Sequence, residues 1–163
     1  MVKQGLPPAI SPAARVLLLG SFPGEESLRQ SQYYAHPRNQ FWRLLGDVLA
    51  EPLAGLPYPE RLRRLSQRRI GLWDIITGCE RDGSLDGDIR NASFAQFDWL
   101  PAHAPHLRLV AMNGQKAGSA QRRLAALGYQ TLVLPSSSPA YTLSYDQKLL
   151  AWRALRSHAL IPD

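Results

Sequence analysis

Four short apolar runs stand out along the chain, and none of them alternates with polar residues. Each is rich in valine, leucine or isoleucine, which is typical of strands in a parallel sheet covered on both faces. The pattern therefore predicts four buried strands, at Val16–Gly20, Ile70–Ile76, Leu107–Met112 and Thr131–Leu134.

Segments with apolar residues at helical spacing lie between and after these runs. The last of them opens with Ser144 and Gln147 in a capping-box arrangement. The alternation of strands and helices predicts an α/β fold, a three-layer α/β/α sandwich around a central, mainly parallel four-stranded sheet. The predicted helices are Gln40–Leu49, Pro59–Leu65, Ser93–Leu100, Gln115–Leu127 and Ser144–Leu160.

Length and composition fit one globular unit. The 163 residues, 45% of them hydrophobic, predict a single domain over residues 1–163. Cys79 is the only cysteine, which excludes an internal disulfide and a cluster of thiolate ligands. No apolar stretch reaches the ~20 residues of a membrane helix, and Met1–Ile10 lacks the apolar core of a secretory signal. We expect a cytoplasmic protein with no membrane contact and no metal or other cofactor.

The charge balance indicates the kind of partner. Nineteen lysines and arginines against thirteen aspartates and glutamates give a net charge of +6. A surplus of this size favours a polyanionic partner, nucleic acid first. The alternative is a basic surface that is only solvated.

Candidate catalytic and binding residues follow the predicted strand ends, which is where ligands bind in parallel sheets. The first strand leads into Gly20-Ser21-Phe22-Pro23-Gly24, a tight turn whose N–H groups could face a ligand, although an ordinary turn also fits. The second strand closes on Asp74, a candidate general base or, alternatively, a cap or ion-pair partner. The third is followed by a donor-rich turn with Asn113 and Lys116.

A second block, Tyr33–Trp42, places two tyrosines, His36 and Asn39 around a helix start. Pro37 disfavours a helix at His36, so the block is predicted to be a loop as far as Asn39, a candidate N-cap. Aromatic side chains beside strand ends can stack a planar base. The alternative is that Asn39 only caps the helix and the tyrosines are core. His36 either holds the loop or touches the base.

The fourth strand leads into Leu134–Tyr141, where three serines stand between two prolines. Hydroxyl and N–H donors suit phosphate contacts, and an apolar tip can enter between bases. A solvent-exposed loop is the alternative. The candidate DNA contacts are Ser136, Ser137, Ser138, Pro139, Ala140 and Tyr141, together with Lys116.

Four of these segments together resemble the uracil-DNA glycosylase superfamily, and above all its hypoxanthine-DNA glycosylase branch. They read GSFPG at 20–24, YYAHPRNQFW at 33–42, GLWDI at 71–75 and LPSSSPA at 134–140. The mismatch-specific uracil/thymine-DNA glycosylases have a similar layout, but their first turn carries a catalytic asparagine where this chain has Phe22. That difference argues against efficient uracil excision.

The resemblance implies a monofunctional hydrolase that removes hypoxanthine from DNA after the base has been flipped out of the helix. Asn39 would position the attacking water and accept its hydrogen bond, with Asp74 as an accessory catalytic residue. Tyr34 would stack the flipped base, and the first turn would stabilise the departing base. The implied base-binding residues are Ser21, Phe22, Pro23, Gly24, Tyr34, His36 and Asn113.

Three alternatives remain open from the sequence. One is uracil excision, and another is a non-catalytic protein that binds single-stranded nucleic acid. A nucleoside hydrolase is the third, although it would need neither the basic surface nor the serine-rich loop. We expect a monomer whose partner is DNA containing deaminated bases.

Overall fold

The protein, a computed structural model, is described over residues 1–159, with side chains as far as residue 157. The strands in this part are β1 (Val2–Gln4), β2 (Val16–Gly20), β3 (Ile70–Asp74), β4 (Ile76–Glu80), β5 (Arg90–Phe94), β6 (Leu109–Asn113) and β7 (Gln130–Leu134). The helices are α1 (Glu25–Gln30), α2 (Phe41–Leu49), α3 (Tyr58–Gln67), α4 (Leu100–His103), α5 (Gln115–Gly118), α6 (Gln121–Ala126), α7 (Tyr145–Trp152) and α8 (Arg156–Ala159).

Four strands form a parallel sheet in the order β3-β2-β6-β7. Register places Gly20 beside Asp74 and Asn113 beside Leu134, so the strands end at one edge. Strands β2, β3 and β6 are almost entirely buried, as their unbroken apolar runs predict, while the edge strand β7 is half-buried. The predicted fold class is confirmed.

Helices cover both faces of this sheet. On one side α2, α3 and α7 pack against Leu18, Leu72 and Ala111. On the other side α4, α5 and α6 pack against Leu17 and Val110. Residues that alternate along the strands thus divide between two apolar clusters, which gives the three layers.

A smaller antiparallel sheet, ordered β1-β4-β5, was not predicted. The expected strand Ile70–Ile76 is divided, because the chain turns at Ile75 and continues as β4. The helix expected over Ser93–Leu100 is wrong: Ser93 belongs to β5, and α4 starts only at Leu100. The apolar side chains between them, Ala95 and Phe97, are buried against the second cluster in a loop.

The observed helices differ from the predicted ones, by one or two residues at α2 and α3 and by more elsewhere. The predicted helix Gln115–Leu127 is divided into α5 and α6. The Ser144 cap is present, since its Oγ accepts a hydrogen bond from the Gln147 amide at 3.2 Å, but the helix runs only to Trp152 before a 3₁₀ turn. Its predicted end, Leu160, lies outside the described residues. Helix α1 was not predicted. No helix in the described ranges is long and apolar enough to span a bilayer.

Candidate active site

The candidate site, called the cleft below, is the edge where the parallel strands end. Strands β2, β3 and β6 end at Gly20, Asp74 and Asn113, and β7 leads into the serine-rich loop. The loop before α2 reaches the same edge, because the Gln40 amide donates to the Ser137 carbonyl at 3.0 Å. Parallel topology therefore brings all four sequence segments together.

Asn39 is fixed at this edge by its carboxamide oxygen. Oδ1 accepts from the Phe41 amide at 2.9 Å and from the Ser137 hydroxyl at 2.8 Å. An amide N–H can only donate, so the Phe41 contact defines which end of the carboxamide is the oxygen. Both lone pairs are then in use, and Nδ2 has no acceptor among the described residues. The free end of Asn39 is a donor, not the acceptor that was expected.

Ser137 links the two asparagines. Its hydroxyl, which donates to Asn39, accepts from Asn113 Nδ2 at 2.9 Å, and its amide donates to Asn113 Oδ1 at 2.9 Å. The side chain is only 1% exposed. This corrects the phosphate contact expected of Ser137, because its polar groups are already bonded inside the protein. Asn113 likewise holds the loop with both ends of its carboxamide.

The serine-rich loop is also held from behind by Lys148 on α7. This lysine is 1% exposed, and its Nζ donates to Gln40 Oε1 at 2.9 Å and to the Ser138 carbonyl at 3.1 Å. Burial lowers the pKa of the ammonium. Lys148 was missed from the sequence, although it lies four residues before the buried Trp152, on the same helix face.

The tip of the loop contains short hydrogen-bonded turns and is accessible. Ser136 Oγ accepts from the Ser138 amide, and Ser138 Oγ accepts from the Ala140 amide. These short turns fix the backbone locally. The tip residues Pro139, Ala140 and Tyr141 are exposed.

Tyr34 spans the cleft. Its ring stacks on Phe41, with centroids 3.8 Å apart and an angle of 11°. Its Oη is buried without a hydrogen-bond partner in the described part of the chain. The backbone φ of Tyr34 is 54°, a left-handed conformation that is uncommon for a bulky residue and is often found at functional sites.

Gly20 leaves room for two polar side chains. A Cβ at this position would lie 2.5 Å from Asp74 Oδ1 and 2.8 Å from Tyr34 Oη. Only glycine therefore permits the carboxyl and the phenol to approach the end of β2. Asp74 Oδ2 is buried and has no partner among the residues described.

The environment of Asp74 changes its acidity. Burial, and to a smaller extent the charge of Asp86, raise the pKa of Asp74 from 3.8 to about 7, against the opposing charge of Arg81. A carboxyl with this pKa is half ionised at neutral pH. It is therefore suited to proton transfer.

Hydrogen bonds and packing hold the first turn, residues 20–24, in place. The Ser21 hydroxyl donates to Asp86 Oδ1 at 2.6 Å. The Phe22 ring is buried in the second apolar cluster, and the Pro23 carbonyl accepts from Arg81 Nη2 at 2.6 Å. The backbone N–H groups of Phe22 and Gly24 have no acceptor within residues 1–159. They are the free donors of this turn.

Two residues expected at the site, His36 and Lys116, lie at its margin. His36 is exposed, and its Nδ1 accepts from the Arg38 amide at 3.1 Å, which fits the loop-holding alternative. Lys116 is half-buried in the first turn of α5. Neither side chain forms a hydrogen bond with Asn39 or Asp74 in the described part of the chain.

Comparison with known proteins identifies the class of protein to which this fold and cleft belong. A family model described as "Uracil DNA glycosylase superfamily" matches residues 7–156. The chain belongs to this superfamily. The family and the fold class expected from the sequence are thereby confirmed.

Individual relatives cover nearly the full length. A protein named hypoxanthine DNA glycosylase from Methanosarcina barkeri is 43% identical over 152 residues, 93% of this chain and 96% of the relative. Another of that name from Methanosarcina acetivorans is 40% identical over 158 residues, 97% of this chain and 100% of the relative. A solution NMR structure from Methanosarcina acetivorans, provisionally described as a uracil DNA glycosylase, has a TM-score of 0.90 and 39% identity, and the alignment covers 99% of this chain and 100% of that one.

Proposed function

We propose that this protein is a monofunctional DNA glycosylase that hydrolyses the N-glycosidic bond of deoxyinosine and releases hypoxanthine. The observation that carries the proposal is the Asn39 carboxamide, held by Ser137 across 98 residues of chain at the edge where Gly20 and Asp74 meet. Two relatives that cover nearly the whole chain carry the name hypoxanthine DNA glycosylase, which favours this base over uracil.

Asn39 acts by positioning. A carboxamide does not ionise in the working pH range, so it cannot remove a proton. Its free Nδ2 donates to the oxygen of the attacking water, while Ser137 and the Phe41 amide keep the side chain in one orientation. Holding the water in line with C1′ lowers the barrier by removing the entropy of placing it.

Asp74 accepts the proton. As water adds to C1′, the bond from C1′ to the base breaks, and its electron pair leaves with the base. The proton released by the water passes to the Asp74 carboxylate, directly or through a second water. Its pKa of about 7 makes a substantial fraction of the enzyme ready for this step at neutral pH.

Tyr34 and the first turn hold the base. Phe41 covers one face of the Tyr34 ring, and the flipped base stacks on the other. The free amides of Phe22 and Gly24 donate to the departing base. Ser21, Pro23, Asn113 and the buried Phe22 ring shape the pocket around it, and His36 supports its rim.

The loop tip engages the DNA. Pro139, Ala140 and Tyr141 fill the space that the base vacates. Ser136, Ser138 and Lys116 contact the neighbouring phosphates, which fits the net charge of +6. One copy of the chain supplies all these groups, so we propose that it acts as a monomer.

The decisive experiment is a base-release assay. Oligonucleotides with one deoxyinosine, deoxyuridine or deoxyxanthosine, single- and double-stranded, are incubated with the protein and treated with alkali. We expect strand breaks above all at deoxyinosine. Breaks at deoxyuridine alone would instead assign uracil excision, and a gel shift without breaks would assign a binding protein. Cleavage of free inosine would indicate a nucleoside hydrolase.

Asn39→Ala tests the assigned mechanism. We expect a single-turnover rate lower by about 10²–10⁴-fold, with DNA binding retained. Asn91→Ala is the matched control, because this asparagine lies exposed on β5, outside the cleft. An Asn39→Ala variant as fast as the parent would remove the carboxamide from the mechanism.

A further inference from the structure

Arg81 is a buried cation directly behind the first turn. It follows β4, and its side chain is 2% exposed. Nε donates to the Gly83 carbonyl at 2.8 Å, and Nη2 donates to the Pro23 carbonyl at 2.6 Å. The guanidinium carbon lies 5.1 Å from the centre of the Phe22 ring. One arginine thus touches the backbone and the side chain of the turn.

Arg81 is held by carbonyl oxygens and not by an ion pair within the described part of the chain. Among the described residues no carboxylate forms an ion pair with it, and Nη1 is buried without any hydrogen-bond partner. A buried charge of this kind is costly to the folded protein unless something compensates it. Nearby surface arginines, such as Arg90 on β5, lie in solvent instead. No carboxylate satisfies the guanidinium directly, so a negative charge that the substrate brings to the first turn would be stabilised by it.

The field of Arg81 reaches the cleft. It lowers the pKa of Asp74 against the larger effect of burial. The two residues are therefore electrostatically coupled although no hydrogen bond joins them. A negative charge that develops on a ligand beside the first turn would also be attracted by Arg81.

The geometry gives a route from Arg81 to the base. The Pro23 carbonyl and the Gly24 N–H belong to one peptide group. A charge-assisted hydrogen bond to the carbonyl draws electrons towards the oxygen and makes the N–H a stronger donor. That N–H has no acceptor within the described residues. The peptide can therefore pass the influence of the buried cation to a ligand in the turn.

We infer that Arg81 stabilises the departing base as an anion, acting through the Pro23–Gly24 peptide. It is a positioning residue that does not itself touch the base. The inference rests on the proposed glycosylase function and deepens it. It also gives Phe22 a role, because the guanidinium of Arg81 lies over its ring at the position where the mismatch-specific glycosylases carry an asparagine.

The test varies the leaving group. Parent, Arg81→Met and Arg81→Gln are compared in single turnover on deoxyinosine and on an analogue in which nitrogen replaces C8–H of the base. The analogue has nearly the same shape but leaves more readily as an anion. We expect the neutral variants to lose about 10²-fold on deoxyinosine and clearly less on the analogue. A merely structural role would lower both rates by one factor.

Controls separate the outcomes. Arg90→Met, an exposed arginine on the neighbouring strand, should leave both rates unchanged. Arg81→Lys keeps the charge and should therefore keep the parent's ratio of the rates on deoxyinosine and on the analogue. This variant can be measured even if the neutral variants do not fold. Equal losses on both substrates, no loss, or an altered ratio in Arg81→Lys would overturn the inference. If the parent itself releases no base, the proposed function fails instead.

Discussion

Replacing Asp74 by asparagine should make the protein more stable above neutral pH while it impairs catalysis. The carboxyl is 4% exposed and Oδ2 has no partner in the described chain. Ionising it in the folded state is therefore unfavourable. Asparagine has nearly the same shape but never becomes charged, so it avoids this cost.

The size of the effect follows from the pKa of Asp74, which is 3.8 in an unperturbed chain and about 7 in the fold. One pKa unit corresponds to 1.36 kcal/mol, so the difference between the two pKa values corresponds to about 4 kcal/mol of folding free energy. Because the folded-state pKa is the higher one, the folded protein binds this proton more tightly than the unfolded chain. Its contribution to stability is complete below about pH 4 and is lost as the pH rises to about 7.

The assay is urea unfolding of parent and Asp74→Asn between pH 4 and pH 8. Taking the difference between the two proteins removes the other titrating groups. We expect the advantage of Asp74→Asn to grow by about 4 kcal/mol over this range, and Asp98→Asn, at an exposed carboxylate, to show no such trend. A difference that stays level with pH would refute the argument that Asp74 ionises at a cost.

Other changes probe the same cleft. The parent's single-turnover rate should rise with pH through about 7 as Asp74 ionises, and should be level in Asp74→Asn; a level parent profile contradicts the general base. Gly20→Ala places a methyl 2.5 Å from Asp74 Oδ1, so activity should disappear and the unfolding temperature fall by about 5 °C or more. Gly87→Ala, with open space around it, is the control. Ser137→Ala should slow base release about 10–100-fold and leave the DNA affinity unchanged. Weaker DNA binding with an unchanged rate would instead support the phosphate contact expected from the sequence.

The parallel sheet could be predicted because its strands are buried on both faces and leave long apolar runs. Strands β1 and β5 could not, since they are short, largely exposed and stabilised by pairing with β4. Phe94, Phe97 and Leu100 follow helical spacing over Ser93–Leu100, but Phe94 belongs to β5 and Phe97 is buried from a loop. Tertiary contacts decide the secondary structure of such segments, and these contacts cannot be derived from the local sequence pattern.

The site was predictable as a set of segments and not as a network. Asn39, Asp74 and the serines stand out by residue type at strand ends. The bond that orients Asn39 joins residues 98 positions apart, and no local signal encodes it. Arg81 and Lys148 escaped notice because long cationic side chains are normally solvated. Lys148 is one of only three lysines in the chain, so its position on a buried helix face was the available signal.

The packing of Phe22 beneath Arg81 also constrains how this chain can be altered. Introducing the asparagine of the mismatch-specific glycosylases at position 22 would remove a buried ring, at a cost of about 3 kcal/mol, and would leave the guanidinium without its aromatic cover. The two positions are therefore energetically coupled. Engineers who wish to redirect the enzyme towards uracil should substitute the pair together.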